Sequence, residues 1–143
     1  MIEKVIYLIE DMFESCDMDF NDLRECEIDV NFFQDYKNTR IVNSFLFNFS
    51  KIQDKIGQKL IKQVLYNLGE IDGFNIPFKD VLNIAEKLEL LTSDEWETFR
   101  EIRNLIAHEY PFSIEERVEN IQEALRVYPM MKDVFKRLKN AIE

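Results

Sequence analysis

At 143 residues the chain fits one ordinary domain, residues 1–143, large enough to bury roughly 70% of its unfolded surface and to fold without disulfides or a structural metal. Its formal charge of −10, from 28 acidic against 18 basic residues, keeps a surface soluble and repels polyanions at long range, so any nucleic-acid contact has to be local. Two unpaired-looking cysteines, Cys16 and Cys26, and a single histidine exclude the usual zinc ligand sets and leave free thiols, while only three Gly and three Pro predict long helices with few turns.

The first predicted helix carries the stripe Ile2, Val5, Ile6, Ile9, Met12 and Phe13. The acidic stretch Glu14 to Asn21 is expected to interrupt it, and Leu23, Cys26, Val30 and Phe33 predict a second helix. A long third helix is expected from Asn38 or Thr39 to about Leu68, with the stripe Val42, Phe45, Leu46, Phe49, Ile52, Ile56, Leu60, Val64, Leu65 and Leu68. Gly57 inside it costs on the order of 1 kcal/mol relative to Ala, which fits either close approach of another backbone or a chance surface glycine. Gly69 and Gly73 flank a turn, and Pro77 opens a fourth helix through Val81, Leu82, Ala85 and Leu88.

Thr92 with Glu95 reads as a capping box that starts the fifth helix, with the stripe Trp96, Phe99, Ile102 and Ile106. Pro111 is expected to end it. Ser113 with Glu116 makes a second capping box for the last helix, which Pro129 should kink or split. The sum is an all-α fold, an antiparallel up-and-down four-helix bundle with short additional helices. No apolar run approaches the roughly 20 residues that span a bilayer, and the acidic interruptions at Glu3 and Glu10 do not read as a signal peptide. The expected location is the cytoplasm, with no membrane contact.

Chemistry concentrates at the end of the fifth helix, Arg103-Asn104-Leu105-Ile106-Ala107-His108-Glu109-Tyr110-Pro111. Asn104 and His108 share a helix face, and Arg103 and Tyr110 nearly superimpose, but Arg103 and His108 lie about 140° apart. A helix C-terminus favours a cationic imidazole, which suits His108 to proton exchange near neutral pH. Taken singly each residue has a structural reading: His108 as a cap, Arg103 as an ion pair with Glu97, Glu101 or Glu109, Tyr110 as a core ring with a wet hydroxyl. The basic residues Arg126, Lys132, Lys136, Arg137 and Lys139 of the last helix fit either the flank of a cleft or a solvated face.

Together, Arg103, His108 and Tyr110 match the Arg-x4-His-x-Tyr signature of HEPN domains, with Asn104 at the polar position after the Arg. The chain resembles HepT-like members of that superfamily, the HEPN partners of minimal nucleotidyltransferases in prokaryotic toxin–antitoxin pairs. Phe49 to Leu60 and Phe78 to Leu91 are similar to two further helices of that group, so the resemblance covers residues 38–115. It implies a metal-independent, cofactor-free ribonuclease acting as a homodimer, in which Arg103 of one copy serves beside His108 of the other. His108 would be the general acid or base, Arg103 the stabiliser of phosphoryl charge, and Asn104 an orienting group. It further implies that a cognate nucleotidyltransferase antitoxin attaches AMP units to Tyr110 and so blocks RNA cleavage. The remaining tyrosines, Tyr7, Tyr36, Tyr66 and Tyr128, fall within helical stripes or at their edges. A second implied role is a non-catalytic subunit that binds substrate for, or is modified by, the nucleotidyltransferase.

Overall fold

Ile2, Ile6, Ile9, Phe13, Cys16 and Leu23 are all buried, and Phe20 packs against them. Their steps of four and three keep one face turned inward over 22 residues of rise, so helix α1 runs unbroken over Ile2–Arg24. The computed structural model describes residues 1–107 and 113–143, and among these every regular element is helical. The expected interruption at Glu14 to Asn21 is absent. These acids are interhelical partners rather than breakers: Asp19 accepts a hydrogen bond from Ser44 Oγ at 2.6 Å, and Asp17 accepts from Lys132 Nζ at 2.9 Å.

The expected second helix is also absent. Residues 25–35 form an irregular connection with one 3₁₀ turn, Phe32–Gln34. Its aspartates bond to their own backbone: Asp29 accepts from the Asn31 amide at 2.9 Å, and Asp35 accepts from the Lys37 amide at 2.9 Å and caps the next helix. Such local bonds offer the chain an alternative to helix.

Helix α2 then spans Tyr36–Lys55, a π turn Ile56–Leu60, and α3 Ile61–Asn67. Ile52, Ile56, Leu60 and Val64 are fully buried although they step by four. In an α-helix that spacing drifts about 120° around the axis. The π turn, in which the Ile61 amide reaches back to the Ile56 carbonyl, absorbs the drift and holds all four in the core. Helix α3 ends in a Schellman turn, with Gly69 at φ +77° and the Glu70 amide bonded to the Leu65 carbonyl at 2.9 Å.

Helix α4, Phe78–Lys87, follows Pro77, which sits just before the first helical residue. It ends in a second Schellman turn whose left-handed position is held by Glu89 at φ 61°. Helix α5, Ser93–Ala107, opens on the expected reciprocal capping box: the Thr92 amide donates to Glu95 Oε1 at 2.9 Å and the Glu95 amide to Thr92 Oγ1 at 3.0 Å. Helix α6, Ile114–Ala141, is capped by Ser113 Oγ, which accepts from the Glu116 amide at 3.1 Å. It continues through Pro129 and is not split there. Ala124, Val127, Tyr128 and Met131 are fully buried around the proline, and their packing offsets the one lost backbone bond.

Side-chain pairs give the topology. Cys16 Sγ lies 3.8 Å from the Phe45 carbonyl and Ser44 meets Asp19, so α1 and α2 are antiparallel. Arg103 on α5 meets Asp54, and Trp96 lies against Gly57, so α5 runs antiparallel to α2. Arg137, near the end of α6, reaches Glu95 in the first turn of α5, and Lys139 and Lys132 pair with Glu10 and Asp17 of α1. The four long helices therefore close an up-and-down bundle. No helix among the described residues is long and apolar enough to cross a membrane.

At the bundle centre Tyr128 packs on Phe13, Phe20 and Phe45 and donates its hydroxyl to Asp17 Oδ1 at 2.7 Å. Burial, then the neighbouring Cys16 and Asp17, push its phenol far above the ordinary value. Burial likewise pushes the Cys16 thiol up from 9.0 to about 12. Both groups favour the neutral, protonated form in the fold. Their contribution to stability is therefore complete below the unfolded thiol's value near 9.0 and is lost as pH climbs towards about 12. Urea midpoints should be insensitive to this pair from pH 7 to about 9 and fall above it, with a shallower fall in Cys16→Ala. In the native protein a thiol reagent should modify exposed Cys26 and spare buried Cys16. Equal rates at both thiols would refute this account of the core.

Candidate functional site

The apolar stripe of α5 (Trp96, Phe99 and Ile102, all buried) fixes which way its polar residues face. Trp96 and Arg103, seven apart, share the flank turned to α2. Glu95 lies on the other flank, where Arg137 Nη2 donates to it at 2.5 Å. Burial works against charge on Glu95, but the bonds from Arg137 and the Thr92 amide outweigh it and hold the carboxyl below its ordinary value. The first turn of α5 is thus clamped to α6, and the polar end of α5 projects from a fixed base.

Arg103 is half-buried. Its Nε donates to Asp54 Oδ1 at 3.3 Å and its Nη2 to Asp54 Oδ2 at 3.5 Å. Of the acids expected to hold it, Glu109 lies outside the described residues and Glu97 and Glu101 do not pair with it: Glu97 pairs with Arg100 at 3.6 Å, and among the described residues the partner of Arg103 comes from 49 residues away. Asn104 is exposed on the adjoining side of α5. His108 and Tyr110, with Glu109 and Pro111, lie outside the described residues, so the geometry joins Arg103 to Asp54 and leaves the rest of the motif to the sequence argument.

The α2 face beneath this end of α5 is unusually polar for a core-facing surface. Ser50, Gln53 and Asp54 of α2 and Gly57 of the adjoining π turn follow one another at spacings of three, one and three, and Gly57 and Asp54 touch α5. Gln53 is only 4% exposed. Among the described residues neither its Oε1 nor Ser50 Oγ meets a hydrogen-bond partner, a condition that costs about 1–3 kcal/mol for a buried acceptor. The sequence marks them only as part of the Phe49 to Leu60 segment, and their approach to α5 sets them apart.

The basic residues of α6 are engaged elsewhere. Arg126 pairs with Glu123, Lys132 with Asp17, Arg137 with Glu95 and Asp133, and Lys139 with Glu10. Arg137 lies at the first turn of α5, about 12 Å along the axis from the level of Arg103. Lys132, Arg137 and Lys139 thus tie α6 to α1 and α5, whereas Arg126 pairs within α6 itself. Two other cations sit on aromatic rings: Lys51 lies 4.9 Å from the centre of the Phe47 ring, and Arg117 lies 4.1 Å from that of Phe33.

Tyr128 is fully buried, but Tyr7 and Tyr36 are 73% and 85% exposed, and Tyr66 is also exposed. Their places beside helical stripes do not hide them, because each sits on the outer edge of its helix. No family model, curated protein or solved structure matches the chain.

Proposed function

We propose that the chain is a HEPN-type ribonuclease toxin, a metal-independent endoribonuclease whose Arg103-x4-His108-x-Tyr110 motif works at the interface of a homodimer. The observation that carries the reading is the complete motif at the end of a capped, core-anchored helix, with Arg103 half-exposed and Asn104 exposed beside it. The chemistry is attack of an RNA 2′-hydroxyl on the adjacent phosphorus, with departure of the 5′-oxygen. His108 exchanges the proton. Arg103 meets the charge that grows on the non-bridging oxygens, where a guanidinium fork suits two acceptors. The angular gap between Arg103 and His108 is closed by a second copy of α5 across a two-fold axis. Exposed Phe47 with its Lys51 cation offers a base-stacking surface on the motif side of α2. A cognate minimal nucleotidyltransferase antitoxin neutralises the toxin by adenylylating Tyr110.

The acidic surface, and the α6 cations spent on internal pairs, favour a second reading: a non-catalytic subunit that is the partner or substrate of the nucleotidyltransferase. Activity separates the two. On the nuclease reading, the purified chain cleaves RNA in the presence of EDTA, and its expression alone arrests growth. His108→Ala and Arg103→Ala each abolish both effects, with stability within about 1 kcal/mol of the parent. Cleavage that needs added Mg²⁺, or that survives His108→Ala, would defeat the nuclease mechanism. An inert parent chain that still binds the nucleotidyltransferase would establish the second reading.

A further inference from the structure

The grip of Asp54 on Arg103 has a direction. Asp54 takes the guanidinium side-on, by Nε at 3.3 Å and Nη2 at 3.5 Å. A guanidinium has five N–H donors, so this contact occupies two along the Nε–Nη2 edge, and the other three, one on Nη2 and two on Nη1, meet no acceptor among the described residues. The Arg103 side chain is 35% exposed and that of Asp54 41%, so the pair is open to solvent. An ion pair this open and this long adds little to stability, about 0–1 kcal/mol.

The surroundings agree that stability is not the reason for the pair. The same face of α2 carries Gln53 and Ser50 with no partner for Oε1 or Oγ among the described residues, where apolar side chains would pack at no polar cost. Arg103 also comes from α5 and Asp54 from α2, two helices fixed against each other by Trp96 on Gly57 only one to two turns away. A guanidinium held from a second rigid helix cannot sweep through the rotamers open to a free arginine.

We propose that Asp54 is the positioning residue for Arg103. It fixes the plane and depth of the guanidinium so that the Nη1 edge faces the scissile phosphate, without touching the RNA itself. The inference rests on the ribonuclease reading and adds to it a residue outside the motif. Because Asp54 is anionic and stands behind the guanidinium, its removal affects the turnover step rather than capture of the negatively charged substrate.

The test uses the full chain and a fluorescently labelled single-stranded RNA of mixed sequence. Asp54→Ala should lower kcat on the order of ten- to hundredfold, the range expected from misplacing a group by about 1 Å, and leave KM within about twofold. Asp54→Asn, whose amide oxygen still accepts from Nε, should recover most of the loss. The Nε–H resonance of Arg103, assigned by its absence in Arg103→Ala, should be protected from exchange in the parent and in Asp54→Asn, and lost in Asp54→Ala. The asparagine variant is nearly isosteric, so the comparison survives if the alanine variant folds poorly. Parent-like turnover in Asp54→Ala, where Arg103→Ala is dead, would overturn the positioning role and leave the ribonuclease reading intact. An unprotected Nε–H in the parent would overturn the pair itself. A parent chain with no cleavage would instead remove the ribonuclease reading, and the positioning role with it.

Discussion

Gly57→Ala should destabilise the fold by about 1–3 kcal/mol, the usual cost of forcing an extra methyl into a packed core. Helix propensity alone predicts the opposite, a gain of about 1 kcal/mol from replacing glycine by alanine inside a helix. The geometry decides between them. A Cβ on Gly57 would stand 2.6 Å from Trp96 Cη2 and 2.7 Å from Cζ2, well inside the 3.5–4.0 Å at which carbons attract. The indole has little room to retreat, because it is buried and packed on Phe78, at 5.3 Å between ring centres, and on Phe99, at 6.2 Å. The site also lies within the π turn, whose register keeps Ile56 and Leu60 in the core, so the backbone cannot shift without disturbing both. Urea denaturation of the single variant, of Trp96→Phe and of the double variant closes a cycle. The smaller ring should make the alanine less harmful in the double variant. A more stable Gly57→Ala protein would mean that the indole does not press on this glycine in solution.

Glycine at position 57 thus marks close approach, but by a side chain rather than by a backbone. That difference was beyond the reach of the sequence, because Trp96 lies 39 residues away. What was legible depended on local rules. The capping boxes at Thr92 and Ser113, the turn at Gly69 and the long central helix all follow from neighbours within four or five positions. The errors arose where an acidic residue was judged without its tertiary partner. Glu14 to Asn21 looks like a break until Cys16 and Phe20 are seen to continue the inward face, with Asp17 and Asp19 bonded across to α6 and α2. Leu23, Cys26, Val30 and Phe33 have helical spacing, yet the aspartates at 29 and 35 bind their own backbone and prevent the helix. Four-residue steps from Ile52 to Val64 did carry a signal for the π turn, since a regular α-helix cannot keep all four on one side.

The candidate site divides in the same way. Arg103 and Asn104 are singled out by spacing alone, because the motif is local. Asp54, Gln53 and Ser50 are not, because they belong to α2, which ends at Lys55, far back along the chain from Arg103. Of the sequence neighbours that could pair with Arg103, Glu97 turns to Arg100 instead, and Glu109 lies outside the described residues. The basic run of α6 shows the converse: the charges are obvious in the sequence, but carboxylates on α1 and α5 already engage most of them.

On the proposed reading, incubation with the cognate nucleotidyltransferase, Mg²⁺ and ATP should add adenylate mass to Tyr110, and Tyr110→Phe should prevent it completely. The phenol oxygen attacks the α-phosphorus of ATP, pyrophosphate leaves, and the phenolic proton passes to a base. A tyrosine with a pKa near 10 keeps that proton at neutral pH, so the transferase has to supply the base, and the toxin only presents the hydroxyl. Exposure does not single out Tyr110, since Tyr7 and Tyr36 are 73% and 85% exposed. Selection therefore has to come from the motif end of α5, where an adenylate would bring an anionic phosphate within reach of the Arg103 guanidinium and compete with RNA for it. Arg103→Ala should consequently weaken inhibition by a given extent of modification without preventing the modification itself. Tyr128 serves as an internal negative control, because it is fully buried and its hydroxyl is bonded to Asp17. Intact-mass and peptide mapping decide the matter. Adenylate at Tyr7, Tyr36 or Tyr66 in place of Tyr110, or none while the transferase modifies another substrate, would break the link between the motif and its antitoxin.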